Sequence, residues 1–310
     1  MPVRNFTYDR LPDLLDFVEI VNSWGNQGSE LGRQTFKELL AQPGLDPSSN
    51  CLMFEEGGKI EGFCLVLPET PIGRAVLELT IGPRRAGSQI ERDVIRSAVG
   101  RARELGTRYV HLCLGNPSPQ AGLLKEEGFS LVRTYWEMVW RQDELPQLAV
   151  PDGFALRSFK PGEAKVLTEV QNAAFAGSWG FCPNTVEQIE YRSSMINTPT
   201  KGILLLCHGE KAAGYCWTCI APAEGNIKGN IRGVIGMIGV VPDYRGRGVS
   251  KTILLAGMGC LKTLGVTDIG LQVDGANTPA IRLYTSVGFE KAGERHWFEL
   301  DLSRDPTYSR

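Results

Sequence analysis

The chain reads as an α/β protein built of two tandem domains that resemble each other. Three observations predict this. The first is an internal repeat. Glu56-Gly57-Gly58-Lys59-Ile60-Glu61-Gly62-Phe63-Cys64 is echoed by His208-Gly209-Glu210-Lys211-Ala212-Ala213-Gly214-Tyr215-Cys216, and Leu124-Lys125-Glu126-Glu127-Gly128-Phe129 by Tyr284-Thr285-Ser286-Val287-Gly288-Phe289. Pro83 and Leu105-Gly106 also match Pro242 and Leu264-Gly265 without a gap. A repeat of this length implies two similar domains rather than a solenoid. The second is a linker: the stretch from Gln142 to Gly153 starts polar and carries Pro146 and Pro151, dividing residues 1–145 from 153–310. The third is the succession of apolar strand-like runs and amphipathic helical patterns.

Composition narrows the function classes. With 310 residues, 42% hydrophobic and 22% charged, the chain is long enough for two ordinary globular cores. A net charge of -2 argues against a general nucleic-acid binder. No apolar run reaches the length of a membrane span, and Met1-Pro2-Val3-Arg4-Asn5-Phe6 lacks the apolar core of a signal peptide. A cytoplasmic protein is expected. The 8 cysteines are scattered, mostly in apolar runs, so buried thiols are expected and a disulfide framework is not. Cys216-Trp217-Thr218-Cys219 has metal-ligand spacing but no second pair, and in a strand its two thiols face opposite ways; no metal is expected.

The second half reads in order as follows. Phe154 to Ser158 is a short strand. Pro161 to Phe175 is a helix, with Ala164, Leu167, Val170 and Ala174 at helical spacing. Thr185 to Met195 is a second helix with Thr185 as N-cap. Gly202 to Cys207 and Ala212 to Ile220 form a hairpin. Ile231 to Val241 is a strand whose Gly233, Gly236 and Gly239 call for a bulge or a close backbone approach. Val249 to Leu264 is a long helix closed by Gly265. Asp268 to Val273 is a strand. A helix with Thr278 as N-cap and Pro279 in its first turn runs to Gly288, and Glu290 to Leu302 supplies the final strands.

Between the glycine-bearing strand and the long helix lies Arg245-Gly246-Arg247-Gly248-Val249-Ser250. Glycines bring backbone close to a ligand. The first amides of a helix lack internal partners, and its dipole favours negative charge there. Arg245 and Arg247 add positive charge. The pattern suits a pyrophosphate.

That turn has the form Gln/Arg-x-x-Gly-x-Gly/Ala, with serine last. Asn277-Thr278-Pro279-Ala280-Ile281-Arg282-Leu283-Tyr284, closed by Gly288-Phe289, is the second motif. Together they resemble the GCN5-related N-acetyltransferase (GNAT) superfamily, over all of the second half and more weakly over the first. The resemblance implies two tandem domains, each with a mixed, mostly antiparallel central sheet flanked by helices. It also implies acetyl-coenzyme A as co-substrate and acetyl transfer to a primary amine by direct attack. On that pattern the amides from Gly246 to Ser250 hold the pyrophosphate. Val240 and Val241 pair with the pantetheine arm like an added strand, Asn277 and Ala280 flank it, and the thioester lies where the fourth and fifth strands splay. Tyr284 is the expected general acid for the leaving thiolate. Phe175 and Trp179, with Phe181 beside them, would line the acceptor pocket. No residue type selects the base: His208, His296, Glu187 and Glu190 are candidates, and a water relay leaves no signature. The acceptor is a small molecule or a protein amine, and a non-catalytic acyl-coenzyme A sensor stays open.

The first half departs from the motifs. Anchored at Pro83, Ala86 stands opposite Arg245, Gln89 opposite Gly248 and Glu91 opposite Ser250; in the separate Gly-Phe repeat, Leu124 stands opposite Tyr284. A shifted match, Arg84-Arg85-Ala86-Gly87-Ser88-Gln89, recovers one glycine and a basic residue. A carboxylate in the first helical turn would occupy or repel an anion site. The first half is therefore expected to do no chemistry. Tandem architecture with a working second half resembles the mycothiol synthase family, as does Val273-Asp274-Gly275-Ala276-Asn277. That family has a catalytic glutamate at the start of the fourth strand, where this chain has Gly233-Val234-Ile235, so its amino-sugar conjugate substrate stays an alternative.

Overall fold

The computed structural model describes residues 3–22, 30–82, 85–222 and 231–304. From the start, the chain forms β1 (Val3–Asn5), α1 (Leu11–Asn22), α2 (Glu30–Leu40), α3 (Pro47–Asn50), β2 (Cys51–Glu56), β3 (Lys59–Glu69) and β4 (Arg74–Ile81). It continues with α4 (Gln89–Glu104), β5 (Tyr109–Asn116), α5 (Ala121–Glu126) and β6 (Ser130–Trp140). The second half follows as β7 (Phe154–Ser158), α6 (Ala164–Phe175), α7 (Val186–Ser193), β8 (Ile203–His208), β9 (Lys211–Pro222) and β10 (Ile231–Val240). It closes with α8 (Val249–Lys262), β11 (Ile269–Asp274), α9 (Thr278–Val287) and β12 (Glu290–Asp301).

These elements form two compact units. One comprises the chain up to Tyr135 and from Gly293 onward; the other is Trp136–Ala292. In the first, the strand order is β1-β2-β3-β4-β5-β12. The pairings β1–β2, β2–β3, β3–β4 and β5–β12 are antiparallel, while β4 and β5 run parallel from Arg74↔Tyr109 to Leu77↔Leu112. In the second the order is β6-β11-β10-β9-β8-β7, antiparallel from β7 through β10 and parallel between β10 and β11. The sheets are thus mixed and mostly antiparallel. Each half of the sequence sends the end of its last strand into the unit that the other half builds, because β6 finishes in the second unit and β12 in the first.

Each sheet is covered on both faces. In the second unit α8 and α9 seal one face through Ile253, Leu254, Met258, Tyr284 and Val287. Trp140 on β6 belongs to this core, and its indole N–H donates to the Val287 carbonyl at 3.2 Å. The other face takes α6 and α7 through Leu167, Val170, Ala174 and Ile189. Local chemistry explains the helix ends. Thr185 caps α7 with a full capping box, its hydroxyl accepting from the Gln188 N–H while the Gln188 side chain accepts from the Thr185 N–H. Gly288, at φ 101, ends α9.

Several boundaries differ from expectation. α6 begins at Ala164 rather than Pro161, because the turn through Gly162, at φ 87, precedes it. Asn277, not Thr278, caps α9, its side-chain oxygen accepting from the Ala280 N–H at 3.2 Å. The C-terminal stretch is one strand, β12, rather than several. Cys216 and Cys219 do face opposite sides of β9, and all eight thiols are free.

The first unit holds a buried charged chain on the sheet. Arg74 pairs with Glu69 and donates to His111 Nδ1 at 3.2 Å. The hydrogen therefore sits on Nε2, which donates to Glu299 at 2.8 Å. Burial, and the Arg74 guanidinium facing Nδ1, hold the imidazole below its ordinary pKa despite the Glu299 contact. The folded state thus refuses a proton that the unfolded chain accepts below about pH 6.5, so this group removes stability as pH falls through that window. Urea midpoints at pH 7.5 and 5.5 should show a larger acid loss for the native chain than for His111→Gln. Equal losses would show that His111 does not contribute.

Candidate active site

The site begins where β10 and β11 part. They pair only at Gly233↔Ile269 and Val234↔Gly270. Immediately beyond, β10 carries a bulge between Ile235 and Met237 against β9, which bends a strand and ends regular pairing. The strand glycines serve close packing. A Cβ on Gly233 would lie 3.0 Å from Leu261, and one on Gly239 would meet Ala174 at 2.8 Å, Phe175 at 2.9 Å and Tyr215 at 3.0 Å.

Past the cleft, Pro242–Tyr244 makes a single turn and the chain reaches Gly246 at φ 77 and Gly248 at φ 80. Both conformations are cheap only for glycine. α8 starts at Val249 with no side chain capping it, and the first amide to return inside the helix is Thr252, to the Gly248 carbonyl. The amides of Val249, Ser250 and Lys251 therefore precede the helical ladder, beside a loop exposed from Arg245 to Gly248. Free amides at a helix start are suited to an anion.

The two arginines divide their work. Arg245 folds back, donating from Nε to the Val240 carbonyl at 3.1 Å and from Nη2 to the Ala174 carbonyl at 2.8 Å. Its side chain braces the turn against β10 and α6. Arg247 stays exposed, 5.8 Å from the Tyr244 ring centroid. Val241 donates to the Ala213 carbonyl and accepts from the Tyr244 N–H, so its backbone is committed within the protein. In an antiparallel ladder the amides alternate sides. With Val241 bonded to the β9 side, the Val240 N–H faces the parted side, so of the two valines Val240 is the one free to make an added-strand contact.

From the other wall α9 brings Tyr284. The residue is buried, 5.9 Å from the Phe289 ring. Burial, and the nearby Cys216 thiol, push its pKa up, so it stays a protonated phenol able to donate. Ala280 is half-buried against the same core. Asn277 lies at the start of this helix with its side-chain oxygen already used as the cap.

The connection between α6 and α7 is closed by a reciprocal amide pair: Asn172 donates to the Asn184 carbonyl and accepts from its N–H, each at 3.0 Å. Within it Phe175 and Phe181 stack at 5.3 Å, and Trp179 is half-buried. Of the base candidates, Glu187 and Glu190 are exposed on α7, and His208 packs against Phe154 and Tyr244. His296 lies in the first unit, 3.4 Å from Glu294. Two polar residues that the sequence did not single out, Gln171 and Tyr215, are buried beside β10. A tyrosine at an inward strand position carries no sequence signal beyond core packing.

The sequence model of the Acetyltransferase (GNAT) family matches residues 165–289, the stretch that holds this cleft, turn and tyrosine. A mycothiol acetyltransferase of Thermobispora bispora is 31% identical over 253 residues, covering 77% of this chain and 80% of that protein. The chain belongs to the GNAT family. It is an acyltransferase with acetyl-coenzyme A as co-substrate. The mycothiol acetyltransferase of Pseudarthrobacter chlorophenolicus is 30% identical over 76% of this chain and 72% of its own length. Among solved structures, a GCN5-related N-acetyltransferase from Sphaerobacter thermophilus matches 97% of this chain and 95% of its own, with a TM-score of 0.71 at 19% identity. A tandem GNAT protein from the clavulanic acid biosynthesis pathway matches 96% and 97%, also with a TM-score of 0.71, at 17% identity. These two share the fold.

The corresponding turn of the first unit has a different content. Pro83 and Arg84, which anchored the sequence comparison, lie outside the described residues. Glu91, in the first turn of α4, is fully buried. Its carboxylate accepts from the Gly87 N–H at 2.6 Å and from the Gln120 amide at 2.5 Å. A built-in anion thus meets a backbone donor at the start of this helix. Ser250→Glu would install the same group on α8. Calorimetry should give one acetyl-coenzyme A site per native chain and binding weaker by at least about a hundredfold in the variant. Unchanged affinity would remove the α8 cradle from the donor site, and two sites per chain would show that Glu91 does not block the first unit.

Proposed function

We propose that the second half, residues 153–310 in sequence, transfers an acetyl group from acetyl-coenzyme A to a primary amine, and that the first half, 1–145, does no chemistry. The observation that carries this is the continuity of three features in one unit: the glycine turn at Gly246–Ser250, the parting of β10 from β11, and the buried Tyr284 on α9. The cradle amides hold the pyrophosphate, Arg247 adds charge, and the Val240 N–H contacts the pantetheine arm or the thioester carbonyl. Val249, Ala280 and Asn277 shape the passage. The amine attacks directly, since a deprotonated amine needs no covalent enzyme intermediate. Tyr284 gives its proton to the departing thiolate. Phe175, Trp179 and Phe181 form an apolar wall on the acceptor side, and holding both substrates together supplies much of the acceleration.

A second reading refines the acceptor. The mycothiol acetyltransferase relatives favour an amino-sugar conjugate over a protein amine. A cytoplasmic location is part of the proposal, and the eight free thiols support it.

A survey of amines, amino sugars included, followed by thiol release from acetyl-coenzyme A, identifies the acceptor class. Tyr284→Phe should then lower kcat by about a hundredfold and leave acetyl-coenzyme A affinity within about twofold. A chain that binds the coenzyme but turns over no amine would be a sensor; undiminished kcat in the variant would remove Tyr284 as the acid.

A further inference from the structure

Two buried polar atoms beneath β10 have no hydrogen-bond partner among the described residues. Tyr215 on β9 is 0% exposed, and its hydroxyl has no hydrogen-bond partner among the described residues. Gln171 on α6 is 2% exposed. Its Nε2 lies 2.8 Å from the Met237 sulfur, while its Oε1 has no partner among the described residues. Leaving such a group buried and unsatisfied is costly, so two together on one side of one strand ask for a reason.

Their position supplies one. Tyr215 pairs with Gly239, and its ring carbon Cε1, next to the hydroxyl-bearing carbon, lies 3.0 Å from where a Cβ on Gly239 would stand. Gln171 reaches Met237, two residues earlier on β10. Both therefore sit on the α6 side of the segment that leads from the bulge to Val240, beside the stacked Phe175 and Phe181. One unpaired donor and one unpaired acceptor match the two polar ends of an amine adding to a thioester: an oxygen gaining charge and a nitrogen still carrying hydrogen.

We infer that the Tyr215 hydroxyl donates to the thioester oxygen as it becomes an oxyanion, and that the Gln171 carbonyl accepts from the attacking amine and orients it. In this step the nitrogen forms a bond to the carbonyl carbon and the carbonyl π pair moves onto the oxygen facing Tyr215. Return of that pair breaks the C–S bond, and the thiolate takes the Tyr284 proton. The proton lost by the ammonium passes to solvent, from which Tyr284 is reprotonated. Tyr215 stays a neutral phenol throughout, as its burial dictates. Gln171, having no proton affinity near neutrality, positions the amine without acting as a base.

This rests on the placement of acetyl transfer at the β10–α8 site, and the test separates the two. Infrared difference spectra of acetyl-coenzyme A labelled with carbon-13 at the carbonyl are recorded on the native chain and on Tyr215→Phe. In the native complex the carbonyl band should lie lower than in free coenzyme, and in the variant it should return most of the way. The variant should be at least as stable to urea, because it loses only an unpaired hydroxyl, yet kcat should fall by about a hundredfold. Gln171→Leu should raise KM for the amine about tenfold while leaving coenzyme affinity unchanged. The same carbonyl band in both proteins, with full binding, would overturn the role of Tyr215 and leave the site assignment standing. A Tyr215→Phe variant that is slower only in proportion to lost stability would overturn it equally. Absence of coenzyme binding by the native chain would remove the site and this inference together.

Discussion

The second unit depends on one interruption of hydrogen bonding. β10 and β11 share two register pairs and then separate, so beyond Val234 the edge of β10 has no strand partner on that side among the described residues. A buried strand edge with free polar groups is costly inside a protein. Here the edge opens toward the turn at Gly246 and Gly248, where an extended ligand can complete what the sheet leaves undone. The bulge at Gly236 and the parting of the strands belong together, since the extra residue re-aims β10 away from its neighbour.

The opening is held by contacts that keep its walls from collapsing. Arg245 ties the Val240 carbonyl to the Ala174 carbonyl, joining the end of β10 to the end of α6 through one planar guanidinium. Gly239 lets the Tyr215 and Phe175 rings come against the strand. The Asn172–Asn184 pair fixes the loop that carries the aromatic wall. The cost of this rigidity falls on Tyr215 and Gln171, whose polar atoms are kept from water without full internal compensation.

The first unit shows what the same architecture becomes when the helix start binds one of its own side chains. β4 and β5 pair over four positions, and Glu91 meets the Gly87 amide. Its sheet carries the Glu69–Arg74–His111–Glu299 chain, in which each polar side chain meets a partner from within the unit. Like folds thus carry an open polar site in one half and closed polar networks in the other, and the difference lies in a few side chains.

Much of this was legible in the sequence where the responsible forces act over a few residues. Thr185 three places before Gln188 is a cap whatever surrounds it, Gly246 and Gly248 demand a turn that only glycine makes cheaply, and Pro279 marks a first helical turn. Those local rules, with helical and strand periodicity, determined the order of elements, the repeat, the anion turn and the place of Tyr284. The tertiary structure alone decided the rest. It exchanged the ends of β6 and β12 between units, turned Arg245 from an expected ligand into a brace, and committed the Val241 backbone to its neighbours. It also set Tyr215 and Gln171 together under β10. Each of those outcomes is a contact between residues distant in sequence, such as Arg245 with Ala174, 71 positions apart. Strand pairing and burial are settled by which distant surfaces meet, and local pattern holds no record of that.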